Sequence, residues 1–282
     1  MASRSFVVFL AIALATPVLS GTLAQFRTVF GDIEVELYDQ DKPITVGNFI
    51  RYVREGRYTN SIFHRATYPP QVLVIQGGGV WISNRSSGTN FGLFSVPVFS
   101  PITNEFQTGT QQSNVYGTIA MAKTSDPNSA TSQFFFNLTN NSAALDNTNN
   151  SGGFAVFGRT IRGTNVLNKL NASHPQTGIF RANLGAGLPE VPLLSTFSPP
   201  LDAEEFVYVD VSLLAVQVVV AIGNGRAISW NSIAGLTNVV EYTIGFPPSW
   251  QPLVTTNGNG SRLTVVDPAA DPKRFYRVRV DY

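Results

Sequence analysis

The stretch from Ile62 to Gly79, IFHRATYPPQVLVIQGGG, constrains this chain more than any other, because it sets one permanent cation, Arg65, in an apolar run ending in Gln76 and a glycine triplet. Residues of β-branched and aromatic character at this density read as strand. A guanidinium carries five donors and no acceptor, so its place is the rim of a cleft rather than a plain core strand. A second stretch, Gly117 to Phe136 (GTIAMAKTSDPNSATSQFFF), supplies an apolar counterpart. Successive side chains of a strand point to opposite faces, so Phe135 faces away from Phe134 and Phe136. If those two fill the interior, Phe135 lies outside, as a second-layer core residue or as a ligand-binding one.

The 282 residues, 43% hydrophobic and 13% charged, suffice for one large domain and a small one. Net charge is +1, with Lys+Arg 19 against Asp+Glu 18, so there is no basic field for nucleic acid and none is expected as a partner. The chain has no cysteine, hence no disulfide, thiol nucleophile or lipidated cysteine. Its first residues, MASRSFVVFLAIALATPVLSGTLAQ, place Arg4 before an apolar run from Phe6 to Ala15, with small residues at Ser20 and Ala24. Residues 1–24 thus read as a secretory signal peptide, cleaved after Ser20 or after Ala24; the other reading is an uncleaved N-terminal segment. The apolar run is short for a bilayer, and no later segment of about 18 apolar residues follows, so no membrane insertion is expected after cleavage. A secreted or periplasmic location follows from the leader.

Downstream, TVFGDIEVELY (Thr28 to Tyr38) predicts a β-hairpin turning at Gly31-Asp32. From Pro43 to Gly56, Val46, Phe49, Ile50 and Val53 recur at helical spacing, with Thr45 as N-cap and Gly56 as the stop. Trp81 to Pro101 reads as a long surface excursion, Gly117 to Ala122 and Ser132 to Leu138 as strands, and Asn140 to Gly153 as a loop. Phe154 to Thr160 predicts a strand and Thr164 to Leu170 a short helix. Ser173 to Pro200 carries Pro and Gly without steady periodicity, and Phe206 to Val218 closes with a strand, so a domain at 25–218 and an all-β module at 219–282 are expected. In the module, strands are predicted at Ala227 to Trp230, Glu241 to Ile244, Leu263 to Val266 and Phe275 to Val280, with Trp230, Tyr242, Trp250 and Tyr276 as core aromatics.

The order GDIEVELY, RYVREG, IFHR, IQGGG, NEF, GTIAMAKTSDPNSATSQFFF and VFG resembles the cyclophilin-type peptidyl-prolyl cis/trans isomerases from about Phe26 to Val218. The resemblance implies a mainly β fold, a closed antiparallel barrel with two capping helices. The module after it resembles a short fibronectin-III-like sandwich. By the same resemblance Arg65 matches the family's catalytic arginine and Gln76 its active-site glutamine, and Phe135, on the family's substrate groove, is grouped with them as catalytic. His64, Leu73, Met121, Ala122, Gln133, Leu145 and Phe154 fall on its substrate groove. The chain departs from the family in an insertion at Thr67 to Gln71 (TYPPQ), in Leu73 where a phenylalanine is expected, and in Ala144 where Trp or Phe is frequent. Phe154 stands where many eukaryotic members have histidine, as in bacterial members. No cofactor and no metal are implied; the partners implied are proline-containing peptides or unfolded exported proteins.

Other chemistry has less to draw on. The histidines are His64 and His174, there is no GxSxG elbow, and neither zinc-ligand spacing nor a lysine-bearing phosphate loop accompanies the glycines. His64 reads as a buried neighbour of Arg65, since rotating a bond moves no proton. Two alternatives belong to other classes: a cyclophilin-fold protein that binds proline segments with little turnover, and a C-terminal adhesion or carbohydrate-binding sandwich.

Overall fold

The computed structural model describes residues 22–171, 177–185, 187–214, 219–223, 225–232, 235–245, 248–269 and 273–281. Most of the leader and His174 lie outside the described residues. The chain divides into two compact units, one of Ser20–Ala215 and one containing Val216–Tyr282.

The first unit opens with β1 (Leu23–Thr28), β2 (Gly31–Leu37), α1 (Pro43–Arg54), β3 (Ser61–Ile62), β4 (Arg65–Ala66) and β5 (Val74–Gly77). It continues through β6 (Val80–Ser83), β7 (Gly92–Ser95), β8 (Thr118–Met121), β9 (Phe134–Asn137), α2 (Ser142–Leu145) and β10 (Val156–Arg162). It ends with α3 (Thr164–Leu170), β11 (Phe180–Ala182), β12 (Val191–Leu193) and β13 (Val209–Leu213). One eight-stranded antiparallel sheet runs β13-β1-β2-β10-β8-β9-β5-β4. It curls round, and beside its two ends Phe63 N donates to Val207 O at 3.0 Å, Ser61 Oγ donates to Val209 O at 2.6 Å, and Ile62 bridges Tyr208. The mainly β barrel expected from the sequence is therefore present.

Fully buried rings fill it. Phe26 meets Phe134 and Phe136 edge-on at centroid distances of 5.3 and 5.0 Å, and Phe49 of α1 lies 5.3 Å from Phe157. Such pairs add about 0.5–1.5 kcal/mol each beyond the area they bury. The helix α1 buries Val46, Phe49 and Tyr52, while α3 buries Val166, Leu167 and Leu170.

Several local expectations are corrected. The first hairpin turns at Val29-Phe30, and Leu23–Thr28 is its first arm; Thr28 Oγ1 takes up the Phe30 N–H and donates to Gly31 O, leaving Gly31, at φ 119°, to open β2. Thr45 sits inside α1 rather than capping it, because Pro43 already begins the helix. The free N–H groups of Ile44 and Thr45 are taken by the Glu105 carboxylate at 3.1 and 2.7 Å, a cap supplied from a distant loop. Lys42, also buried, ties that loop from the other side by donating to Glu105 O and Thr108 O. The stretch after Trp81 contains the β6–β7 hairpin, where Trp81 stacks on Phe94 at 5.0 Å. The Asn140 to Gly153 loop holds the single turn α2, and Ser173 to Pro200 holds the β11–β12 hairpin.

The second unit contains β14 (Val219–Gly223), β15 (Gly225–Asn231), β16 (Thr237–Thr243), β17 (Gln251–Asn257), β18 (Arg262–Asp267) and β19 (Phe275–Asp281). They form two three-stranded sheets, β14-β15-β18 and β17-β16-β19. Ile228, Trp230 and Val240 are the buried centre between them. Of the aromatics expected there, Trp230 is buried, with its Nε1 donating to Asn238 Oδ1 at 3.1 Å. Tyr242 and Trp250 are half-buried and lie beneath Arg274 and Arg277, and Tyr276 donates to Asp267 Oδ2 at 2.7 Å.

Glu105→Ala removes two acceptors from the α1 terminus at once. The expected loss is about 1–3 kcal/mol in denaturant unfolding, with Glu105→Gln milder because it keeps an acceptor oxygen. An unchanged midpoint in the alanine variant would show that the cap contributes nothing.

Candidate active site

Four antiparallel pairings build the site. Arg65 of β4 lies opposite Gln76 of β5, Gln76 opposite Phe135 of β9, Phe135 opposite Ala120 of β8, and Ala120 opposite Val156 of β10. Side chains in register on neighbouring strands share a face. Arg65, Gln76, Phe135, Ala120 and Val156 therefore form one row on the outside of the barrel. The adjacent row, Ala66, Ile75, Phe136 and Ile119, points into the core.

Around Phe135 an apolar patch gathers Val74, Ala120, Leu145 and Val156, with Tyr38, Val72, Ala122 and Phe154 partly buried against it. Phe154 meets Phe135 edge-on at 5.9 Å, and Lys123 Nζ lies 4.0 Å from the Phe154 ring centre. Burial pulls the Lys123 ammonium down to about 8, with Asp126 opposing. Beneath the patch runs a chain of buried amides. Asn141 Nδ2 donates to Leu73 O and Asn137 Oδ1, while Leu73 N donates back to Asn141 Oδ1 at 3.0 Å. Asn137 Nδ2 donates to Asn114 Oδ1 and Thr118 Oγ1; Asn114 Nδ2 donates to Phe154 O at 2.9 Å and to Asp146 Oδ1. This network pins the loops that carry Leu145 and Phe154 onto β5 and β9, and a fully satisfied buried network rigidifies what it holds.

Beyond Gln76 the surface opens into a cleft of about 690 Å³. His64, Arg65, Gln76 and Gln133 form its polar part, Leu93 and Phe94 of the β6–β7 hairpin one wall, and Leu184, Leu188 and Pro189 of the β11–β12 hairpin another. Gln76 Nε2 donates to Gln133 Oε1 at 2.6 Å, so the two amides present one oriented set of donors and acceptors. The glycine triplet makes the approach possible: Gly78 has φ +76°, and a Cβ on Gly79 would lie 2.8 Å from His64 Cε1 and 2.9 Å from Gln133 Cδ.

Arg65 is exposed, and its Nε donates to Glu190 Oε2 at 2.9 Å. Its Nη1 and Nη2 find no protein acceptor among the described residues. His64 is buried, its backbone N–H donates to Gln76 O at 3.0 Å, and its Nδ1 has no hydrogen-bond partner among the described residues. Burial, first of all, holds the imidazole down at about 4, and the nearby Arg65 charge adds to it. It is neutral across the neutral pH range.

Of the residues singled out from the sequence, His64, Arg65, Gln76 and Gln133 meet in the cleft, and Phe135, Ala122, Leu145 and Phe154 meet in the patch beside it. Leu73 and Met121 do not join either group. Both pack into the barrel core, because Leu73 is out of phase with Gln76 and Met121 lies opposite Phe134. Val74 and Ala120 occupy the outer face in their stead. Ala144 is exposed and adds no wall. Val74 was findable, since it stands two residues before Gln76 on one strand; Glu190, 125 residues from Arg65, had no local signal.

An outward arginine and amide pair thus stand beside an apolar patch on one face of the antiparallel sheet. Residues 23–183 match the family described as cyclophilin type peptidyl-prolyl cis-trans isomerase/CLD. The chain is 37% identical over 170 residues to a peptidyl-prolyl cis-trans isomerase of Acinetobacter baylyi, covering 60% of this chain and 82% of that one. It is 38% identical over 154 residues to peptidyl-prolyl cis-trans isomerase B of Escherichia coli, covering 52% and 83%. A solved Cryptosporidium parvum cyclophilin type isomerase aligns at TM-score 0.44 and 20% identity, over 68% of this chain and 99% of that one. The chain belongs to the cyclophilin-type peptidyl-prolyl cis-trans isomerase family.

The His64 shift has a stability consequence with a definite sign. With its folded value at about 4, below the model-peptide value of about 6.5, the unfolded chain binds a proton first as pH falls. The contribution is complete above about 6.5 and declines as pH drops towards 4, by at most about 3 kcal/mol. Denaturant titrations from pH 7 to 4 are expected to show a steeper loss for the native chain than for His64→Gln; parallel curves would contradict the buried neutral imidazole.

Proposed function

We propose that this isomerase turns X-Pro bonds by hydrogen bonding from Arg65 to the prolyl nitrogen while the patch around Phe135 holds the ring. The observation that carries this is the shared row of Arg65, Gln76 and Phe135, with both Nη groups of Arg65 left without a protein acceptor among the described residues. Rotation about the peptide bond is opposed by amide resonance, a barrier of about 18–20 kcal/mol. The planar nitrogen is a poor acceptor. At the twisted geometry it regains its lone pair, so a donor fixed beside it stabilises the transition state more than the ground state. A charge-assisted bond of about 1.5–3 kcal/mol accounts for roughly ten- to hundredfold, at about 1.36 kcal/mol per decade. The remainder falls to the pocket and to Gln76 and Gln133, which orient the flanking amides.

Exported proteins are the proposed clients, on the strength of the leader pattern at the N-terminus. Cleavage after Ser20 is favoured over cleavage after Ala24. Ala24 is buried and pairs with both Val35 and Leu213, and Thr22 binds the Asp39 carboxylate through its N–H and its hydroxyl. Cutting after Ala24 would remove the start of β1. Intact-mass analysis of the exported chain is expected to give Gly21 as the first residue; a chain starting at Gln25 would contradict the reading.

For the mechanism, the cis-to-trans rate of a short X-Pro peptide is compared between the native chain and Arg65→Ala. The expected drop in kcat/KM is roughly ten- to hundredfold, with the fold intact by circular dichroism. Peptide binding without acceleration by the native chain would instead identify a proline-recognition protein, with the exposed Ala144 and the Thr67 to Gln71 insertion as its distinguishing features.

A further inference from the structure

The side chain that touches Arg65 is not on the barrel. Glu190 stands at the entry to β12, on the hairpin that also walls the cleft through Leu184, Leu188 and Pro189. Its backbone is fixed to the barrel edge, since Ala66 N donates to Glu190 O at 2.7 Å directly after Arg65. Its carboxylate is 13% exposed and sits between two guanidinium groups, Oε2 at 2.9 Å from Arg65 Nε and Oε1 at 3.6 Å from Arg181 Nη1. Arg181 in turn lies 3.3 Å above the ring of Tyr68, at the head of the Thr67 to Gln71 insertion. Insertion and hairpin are thus joined through Arg181 and Tyr68, and the Glu190 carboxylate adds Arg65 to the same cluster.

We infer that Glu190 is a positioning residue for catalysis, holding the Arg65 guanidinium by its Nε so that Nη1 and Nη2 face the peptide. This rests on the Arg65 mechanism proposed above. The geometry favours orientation over stability as the purpose of the contact. Arg65 is 45% exposed, and ion pairs at such sites contribute little to folding. An arginine side chain left free spreads over many rotamers, and a donor away from the reacting nitrogen is lost to the transition state. A carboxylate on the Nε edge restricts that spread without occupying the groups that reach the substrate. The partial offset of the guanidinium charge weakens the bond it donates, so the net gain must come from orientation. The loss of Glu190 is therefore expected in kcat more than in KM.

The test is a double-mutant cycle on X-Pro isomerisation, read as kcat and KM by exchange spectroscopy at raised enzyme concentration. In the native background Glu190→Ala is expected to lower kcat about tenfold with KM within about twofold, and Glu190→Gln, which keeps an acceptor oxygen for Nε, to recover part of the loss. In the Arg65→Ala background the same Glu190→Ala change is expected to cost less than about twofold. An equal cost in both backgrounds overturns the inference while leaving the Arg65 mechanism standing. If Arg65→Ala itself keeps native turnover, both fall. The Arg65 Nε–H resonance gives a reading independent of turnover: a sharp, displaced signal that collapses to the free-arginine position in both Glu190 variants overturns the role of the retained acceptor, whereas collapse in Glu190→Ala alone supports it.

Discussion

Strand alternation under a fixed register is the constraint on which this site depends. Because β4, β5, β9 and β8 pair without a slip, Arg65, Gln76, Phe135 and Ala120 stand together outside, and Ala66, Ile75, Phe136 and Ile119 stand together inside. A one-residue shift of any strand would exchange the two rows. The interior rings prevent it. Phe134 and Phe136 interlock edge-on with Phe26, and no strand can slide without driving a phenylalanine into water. The packing that makes the barrel stable is thus also what aims Arg65.

Around this row, polar groups are used to hold things still. The amide chain from Asn141 to Asn114 locks the Leu145 and Phe154 loops, and Glu190 meets Arg65 across the cleft margin. No proton transfer is needed to rotate an amide, which agrees with a histidine kept neutral by burial and far from a general-base value. What the proposed mechanism requires is a donor and an apolar surface in fixed relation. Catalysis of this kind is positioning and differential binding.

The barrel strands and the faces of Phe134, Phe135 and Phe136 were legible because period-two alternation is a local property of the chain. Other features were set at a distance. Glu105 caps α1 from about sixty positions away, so Thr45 looked like the cap; Glu190 reaches Arg65 through a hairpin whose strands carry only three residues each. Leu73 stands where the resemblance places a phenylalanine, but it is out of phase with Gln76 on the strand, so it packs inward and Val74 takes the outer face. Tyr242 and Trp250 in the second unit lie under Arg274 and Arg277, and an aromatic in the sequence does not by itself reveal whether an arginine will cover it.

The central claim is that a proline ring rests on Phe135 within reach of Arg65. Intermolecular nuclear Overhauser contacts between a bound X-Pro peptide and the methyl- and aromatic-labelled chain test it directly. The account predicts contacts from the prolyl ring to Phe135, Val74 and Leu145, with Leu73 and Met121 silent in the core. Contacts confined to the second unit, or a bound peptide that misses Phe135, would contradict it.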